Sequence, residues 1–254
     1  MPENTSSYNM EFALEVIAFT IESASIAERC GAHRIELCDN PGDGGTTASY
    51  GMIELARKKT TIQLFPIIRP RGGDFLYSDD EFIIMQKDIL WCKQIGCDGV
   101  VIGILNSDGT VNKRRTGKLV TLAYPMSVTF HRAFDRVLDP FEALEDLIDI
   151  GCERILTSGK KPTALEGAFL LKQLVEQADE RMIIMPGSGV RANNILEIAK
   201  QTGAKEFHSS ARADLASRME YQNPDMKEEL KSPILNAEEV SQILNHLREF
   251  KPVA

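Results

Sequence analysis

GAHRIELC, residues 31–38, has three counterparts further along the chain: GCDGVVIG at 96–103, GCERILTSG at 151–159 and GAKEFHSS at 203–210. Each opens with glycine and a small residue, continues with a polar pair or triplet, and runs into a short strand-like segment. Each follows a stretch of helical periodicity. A helix that ends on a C′ glycine and passes at once into a buried strand has this pattern. The glycines stand at 31, 96, 151 and 203, spaced at about twice the length of one βα unit. Each interval therefore holds two units.

The intervening strands read as 12–17, 62–69, 127–132 (SVTFHR) and 182–186 (MIIMP). Helical patterns lie at 49–59, 139–151, 193–203 and 237–250, with Asp79, Asp139 and Asn193 as N-caps and Pro140 at a first helical position. Short apolar strands alternating with helices predict a parallel sheet. Eight such units in 254 residues predict an α/β fold, a single-domain TIM (β/α)8 barrel over 10–254. An open doubly wound sheet lacks support, because no GxGxxG follows the first strand. Residues 1–9 read as a flexible N-terminal arm, and 212–236 as a long polar loop.

Acidic residues outnumber basic ones, 37 against 29, for a formal charge of −8. That balance points away from nucleic acid and from anionic membranes as partners. No apolar run approaches a membrane span, and MPENTSSYN lacks the signal-peptide pattern. A cytoplasmic protein is the expectation. The five cysteines stand at irregular gaps without a CxxC, which argues against a disulfide framework.

Charge is hard to bury against helices, so charged strand residues mark the barrel lumen. Alternation then sends Glu15 inward on strand one and Arg34, Glu36 and Cys38 on strand two. Strand three contributes Gln63, Ile67 and Arg69, strand five Thr129 and His131, and strand eight Glu206 and His208. One buried Glu or His is ordinarily half of a satisfied ion pair. Glu15, Glu36, Arg69, His131 and His208 converging from five strands are costly to bury without a purpose. They predict acid–base chemistry on a small anionic or phosphorylated substrate. Glu15 or Glu36 is the general base, His131 the acid or base, and Arg69 the charge stabiliser.

Strand seven runs into PGSGVRANN (186–194), whose Gly187, Ser188 and Gly189 suit a backbone anion nest. Ser209, at the end of strand eight, joins them, because phosphate sites of barrels form after strands seven and eight. In FPIIRPRGGDFLYSD (65–79), Arg69 and Arg71 supply a cationic rim, Asp74 fixes an arginine, and Phe75 and Tyr77 form a wall.

These same residues carry a family resemblance. RIELCDNPGDGGTTASYG (34–51), PIIRPRGGDFLYSD (66–79), VTFHRAFD (128–135), RILTSG (154–159), MPGSGVRANN (185–194) and EFHSSAR (206–212) resemble the copper homeostasis protein CutC family. The resemblance implies a cytoplasmic TIM barrel, a homodimer, and copper handling. Several members of that family carry cysteine directly after the first-strand Leu-Glu-Val, where this chain has Ile17. Cys38, with His131 and His208, is what remains for a Cu(I) ion. The other thiols, Cys30, Cys92, Cys97 and Cys152, read as helix or helix-end residues outside the lumen. The predicted ligand is thus a small anion or a copper ion.

Overall fold

The computed structural model describes residues 12–227 and 229–250. The arm predicted over 1–9 lies outside the described residues. Eight parallel strands form the barrel: β1 (Ala13–Ala18), β2 (Arg34–Leu37), β3 (Gln63–Pro66), β4 (Gly99–Ile102), β5 (Ser127–Phe130), β6 (Arg154–Thr157), β7 (Ile183–Pro186) and β8 (Glu206–Ser209). Eight helices alternate with them: α1 (Ile21–Cys30), α2 (Tyr50–Lys59), α3 (Asp79–Gln94), α4 (Lys113–Ala123), α5 (Pro140–Ile150), α6 (Ala168–Ala178), α7 (Ile195–Thr202) and α8 (Ala237–Glu249).

The ladders run β3-β2-β1-β8 and β4-β5-β6-β7. A parallel bridge, Ile67 to Val101, joins the two sets across β3 and β4. On the other side β7 and β8 lie next to each other, tied where the Ser209 hydroxyl donates to the Val190 carbonyl at 2.7 Å. The result is the predicted barrel. None of the helices among the described residues is long and apolar enough to cross a membrane.

The repeat behaves as the sequence reading requires. Gly31, Gly96, Gly151 and Gly203 all adopt positive φ, between 71° and 91°, and release the chain into the next strand. Outward strand residues Leu14, Val16, Ile35, Leu37, Val128 and Phe130 are buried against the helix layer. Each such side chain contributes about 1.5–3 kcal/mol. On α1 the buried face is small, Ser23, Ala24 and Ala27, which lets that helix sit close to the sheet.

Several boundaries differ from expectation. Ser78, not Asp79, caps α3: its hydroxyl accepts the Glu81 N–H while the Glu81 carboxylate accepts the Ser78 N–H. Asn194, not Asn193, precedes α7. β5 stops at Phe130 because His131 caps a 3₁₀ turn, Arg132–Arg136. The largest correction is at 212–236. This stretch holds a two-stranded antiparallel ribbon, β9 (Arg212–Ala216) paired with β10 (Lys231–Leu235). Its strands bury little, so no apolar alternation announced them.

The lower lumen is a closed ionic layer. Arg34 donates to Glu15 at 2.5 Å and to Glu206 at 2.5 Å, and Arg154 donates to Glu206 at 3.2 Å. Both guanidiniums lie over the Phe65 ring, at 5.1 and 5.4 Å from its centroid. This layer floors the site above it.

Candidate active site at the barrel mouth

Above that floor is a cavity of about 320 Å³ at the C-terminal ends of the strands. Glu36, Arg69, Phe75, His131, His208 and Ser210 line it. Four of the five convergent residues therefore meet there. The fifth, Glu15, is fully buried beneath them.

Glu15 and Glu36 are chemically unlike. Burial works to raise the Glu15 carboxyl, but Arg34 and the His208 hydrogen bond outweigh it and hold Glu15 at about 2. It is a permanent anion that anchors its neighbours. Burial instead pushes Glu36 up to about 7. His208 opposes that rise and the negative charge of Glu15 adds to it. His208 links the two, with Nδ1 2.7 Å from Glu15 and Nε2 3.8 Å from Glu36. Burial lowers its proton affinity, yet the Glu15 hydrogen bond and both carboxylate charges raise it overall. Of the two predicted base candidates, only Glu36 can change protonation near neutral pH.

His131 is a neutral imidazole. Burial, and then the positive charge of Arg69, lower it to about 3. Its Nδ1 accepts the Ala133 N–H at 3.1 Å, so the proton resides on Nε2. That Nε2–H is buried and has no partner among the described residues. Gly103 makes room for the ring, since a Cβ there would come within 2.2 Å of His131 Cε1. In this state His131 donates a hydrogen bond rather than a proton.

Arg69 is buried, and its terminal nitrogens donate to the carbonyls of Asp43, Gly45 and Gly73 at 2.6–2.8 Å. It thereby fastens the loop after β2 to the loop after β3. Among the described residues its buried Nε–H makes no well-formed hydrogen bond, and the likewise unpartnered Tyr77 hydroxyl lies beside the guanidinium. Phe75 stands between the two orphan donors, 5.0 Å from the Arg69 guanidinium and 4.9 Å from the His131 ring.

The predicted anion ligands separate. Ser188 and Gly189 line the cavity, with φ of 77° and 71°. Among the described residues neither donates its N–H to another backbone carbonyl. Gly187 does not offer its N–H, which donates to Thr157 at 2.9 Å. Ser209 is buried, with its hydroxyl held by Val190. Ser210 and Arg212 line the mouth in its place. The signal was strand alternation: 206, 208, 210 and 212 share the lumen parity, and 209 does not. Arg71 is not a cavity residue. Glu81 and Asp74 take its guanidinium at 2.6 and 2.9 Å, so Asp74 fixes Arg71 rather than Arg69.

Of the predicted copper ligands, Cys38 and His208 both neighbour Glu36, and the three predicted ligands form no common cluster. Among the described residues, the His, Cys, Asp and Glu side chains whose ligand atoms lie within 4.8 Å of one another are Glu15, Glu36 and His208. Cys38 and His131 stand outside that group. Cys38 packs with Phe65, Ile67 and Val101, under the Gly45 backbone, where a Cβ would come within 3.1 Å of its sulfur. Burial, with Glu36 and Glu15, pushes its thiol well above the ordinary range.

Comparison with known proteins places this architecture. The CutC family model matches residues 12–213. A CutC family protein of Chromobacterium violaceum is 52% identical over 212 residues, covering 84% of this chain and 86% of its own length. The copper homeostasis protein cutC homolog of Homo sapiens is 48% identical over 212 residues, 84% of this chain and 78% of that one. A Streptococcus agalactiae structure solved under the CutC name superposes with a TM-score of 0.75 at 34% identity, covering 78% of this chain and 98% of that one. The chain belongs to the CutC family.

Proposed function

We propose that the barrel mouth is an acid–base catalytic centre for a small anionic carbonyl compound. The observation that carries this reading is the pairing of unlike groups in one cavity. Glu36 is a buried carboxyl held near neutrality, and His131 and Arg69 each present a buried N–H without a partner. A general base works best with a pKa near the operating pH. Donors aimed at an oxygen that gains negative charge lower the barrier most. Glu36 takes a proton from the carbon next to the carbonyl. The Nε–H groups of His131 and Arg69 receive the developing enolate oxygen. Ser188, Gly189, Ser210 and Arg212 hold the anionic end of the molecule.

The relatives' names point to copper homeostasis, and the donor set here fits Cu(I) poorly. Cu(I) prefers thiolate and thioether ligands. The metal-capable group is two carboxylates and an imidazole, and one of those carboxylates is bound to Arg34. The one lumen thiol is protonated and covered.

Proton abstraction can be tested before the full reaction is known. Phosphorylated ketoses, phosphorylated aldoses and 2-oxo acids are incubated with the protein in D2O, and loss of the α-proton signal is followed by NMR. Wild type exchanges a member of the panel, and Glu36→Gln exchanges it at least about 100-fold more slowly, the lower range for a lost general base. No exchange with any compound, or undiminished exchange by Glu36→Gln, overturns the proposal.

A further inference from the structure

A second, larger cavity of about 720 Å³ opens beside the mouth. The two share Gly44, Arg69, Phe75 and Arg132, so they form one groove with Phe75 at its waist. The outer part is framed by Leu76, Leu105 and Asn106 and by the turn that carries Arg132 and Arg136. Its charges can be accounted for one by one. Asp74 is bound to Arg71, and Asp135 to Arg132 at 2.8 Å. The Asp43 carboxylate accepts the Asn40 side-chain N–H at 2.7 Å and packs on Gly72, where a Cβ would come within 2.4 Å of it. Among the described residues, Arg69 and Arg136 belong to none of the ion pairs of this rim.

Arg69 is buried at the waist with neutral carbonyls as partners, and a buried cation without an anion is unfavourable until one arrives. Arg136 lines the outer cavity alone and is exposed. The groove therefore carries an unpaired guanidinium at its waist and another in its outer part, against one carboxylate, Asp43, held by a neutral amide, with apolar surface between.

Building on the acid–base reading of the mouth, we infer that the ligand carries a second oxyanion, a carboxylate or a phosphoryl group, which sits in the outer cavity against Arg136. The carbon chain crosses the waist over Phe75. Its first anionic end lies at the loops after β7 and β8.

Three six-carbon probes test this by calorimetry at low salt: glucitol 6-phosphate, glucitol 1,6-bisphosphate and 6-phosphogluconate. They differ in carrying a hydroxyl, a phosphoryl or a carboxylate at the far end. In wild type at least one probe with an anionic group at both ends binds about fivefold more tightly than glucitol 6-phosphate, the size of an exposed ion pair. The preferred probe identifies which oxyanion the outer cavity takes. Arg136→Ala removes the advantage and binds glucitol 6-phosphate as wild type does. Equal affinities for all three in wild type, or an advantage that survives Arg136→Ala, overturn the inference. If glucitol 6-phosphate fails to bind while a probe with an anionic group at both ends binds through Arg136, the mouth reading falls and the outer site stands. Absence of binding by all three overturns both.

Discussion

Replacing Glu36 by Gln should stabilise the protein, and increasingly so as the pH rises. The folded protein holds this carboxyl at about 7, against an ordinary 4.5. A carboxyl raised on folding keeps its proton in the folded state and surrenders it in the unfolded one. The resulting penalty is absent below pH 4.5, grows between 4.5 and 7, and is complete above 7. The full displacement is worth on the order of 3–4 kcal/mol at about 1.4 kcal/mol per pH unit, and about 2–3 kcal/mol of it develops between pH 5 and pH 8. The attraction of His208, 3.8 Å away, opposes the rise and is already contained in that value. For a chain of this size the Tm of the variant should rise by roughly 4–12 °C relative to wild type over that interval. Urea denaturation and thermal scans at pH 5 and pH 8 read it directly. The amide places an N–H near His208, which adds an offset, so growth with pH is the diagnostic quantity. A gap of equal size at both pH values, or one that shrinks as pH rises, would refute the raised proton affinity of Glu36.

Glu15→Gln should do the opposite. It breaks the buried pair with Arg34 and the hydrogen bond from His208, a loss of about 3–5 kcal/mol at pH 7. Because Glu15 is depressed to about 2, wild type loses its advantage as pH falls below 4.5. Denaturation at pH 7 and pH 4 should show the gap narrowing. For copper, a Cu(I) competition titration under reducing conditions should give wild type and Cys38→Ser affinities within about threefold of each other, since a single protonated, covered thiol makes a poor Cu(I) site. A loss of about tenfold or more in Cys38→Ser would restore the copper reading.

The barrel was legible because its unit repeats. A C′ glycine, a small residue and a short apolar strand are local signals, and four copies at doubled spacing imply the closed count. Lumen residues were legible by parity once charge marked the inward face, and Glu36, His131 and His208 lie where alternation sends them. Parity misapplied explains the choice of Ser209, whose neighbour Ser210 faces the cavity. Arg154 is not legible this way, because Arg-Ile-Leu-Thr carries a single charge at its first residue and no alternation to mark a face. The ribbon β9–β10 escaped because exposed strands leave no apolar trace. What strand alternation cannot show is which of two inward carboxyls remains neutral. That depends on Arg34 reaching Glu15 across the lumen, and on His208 joining them. Nor does sequence tell a free guanidinium from one held by loop carbonyls, as Arg69 is.

The division between the two lumen layers explains why the upper one is reactive. Below, Glu206, Arg34, Arg154 and Glu15 satisfy one another, so a large buried charge adds rigidity at limited cost. Above, the same economy would have been available to Glu36, which needed only a cation of its own. Instead the nearest cation, His208, gives its hydrogen bond to Glu15 and stands 3.8 Å from Glu36, and Arg69 turns its terminal nitrogens to loop carbonyls. Glu36 is left without a full counter-charge, and His131 and Arg69 are left with unused donors. Each of these deficits is unfavourable in the empty protein. A ligand that yields a proton and gains negative charge on an oxygen corrects all three together. Filling the cavity with such an anion should therefore raise stability at pH 8 in wild type, and less in Glu36→Gln if proton transfer to Glu36 is part of what is relieved.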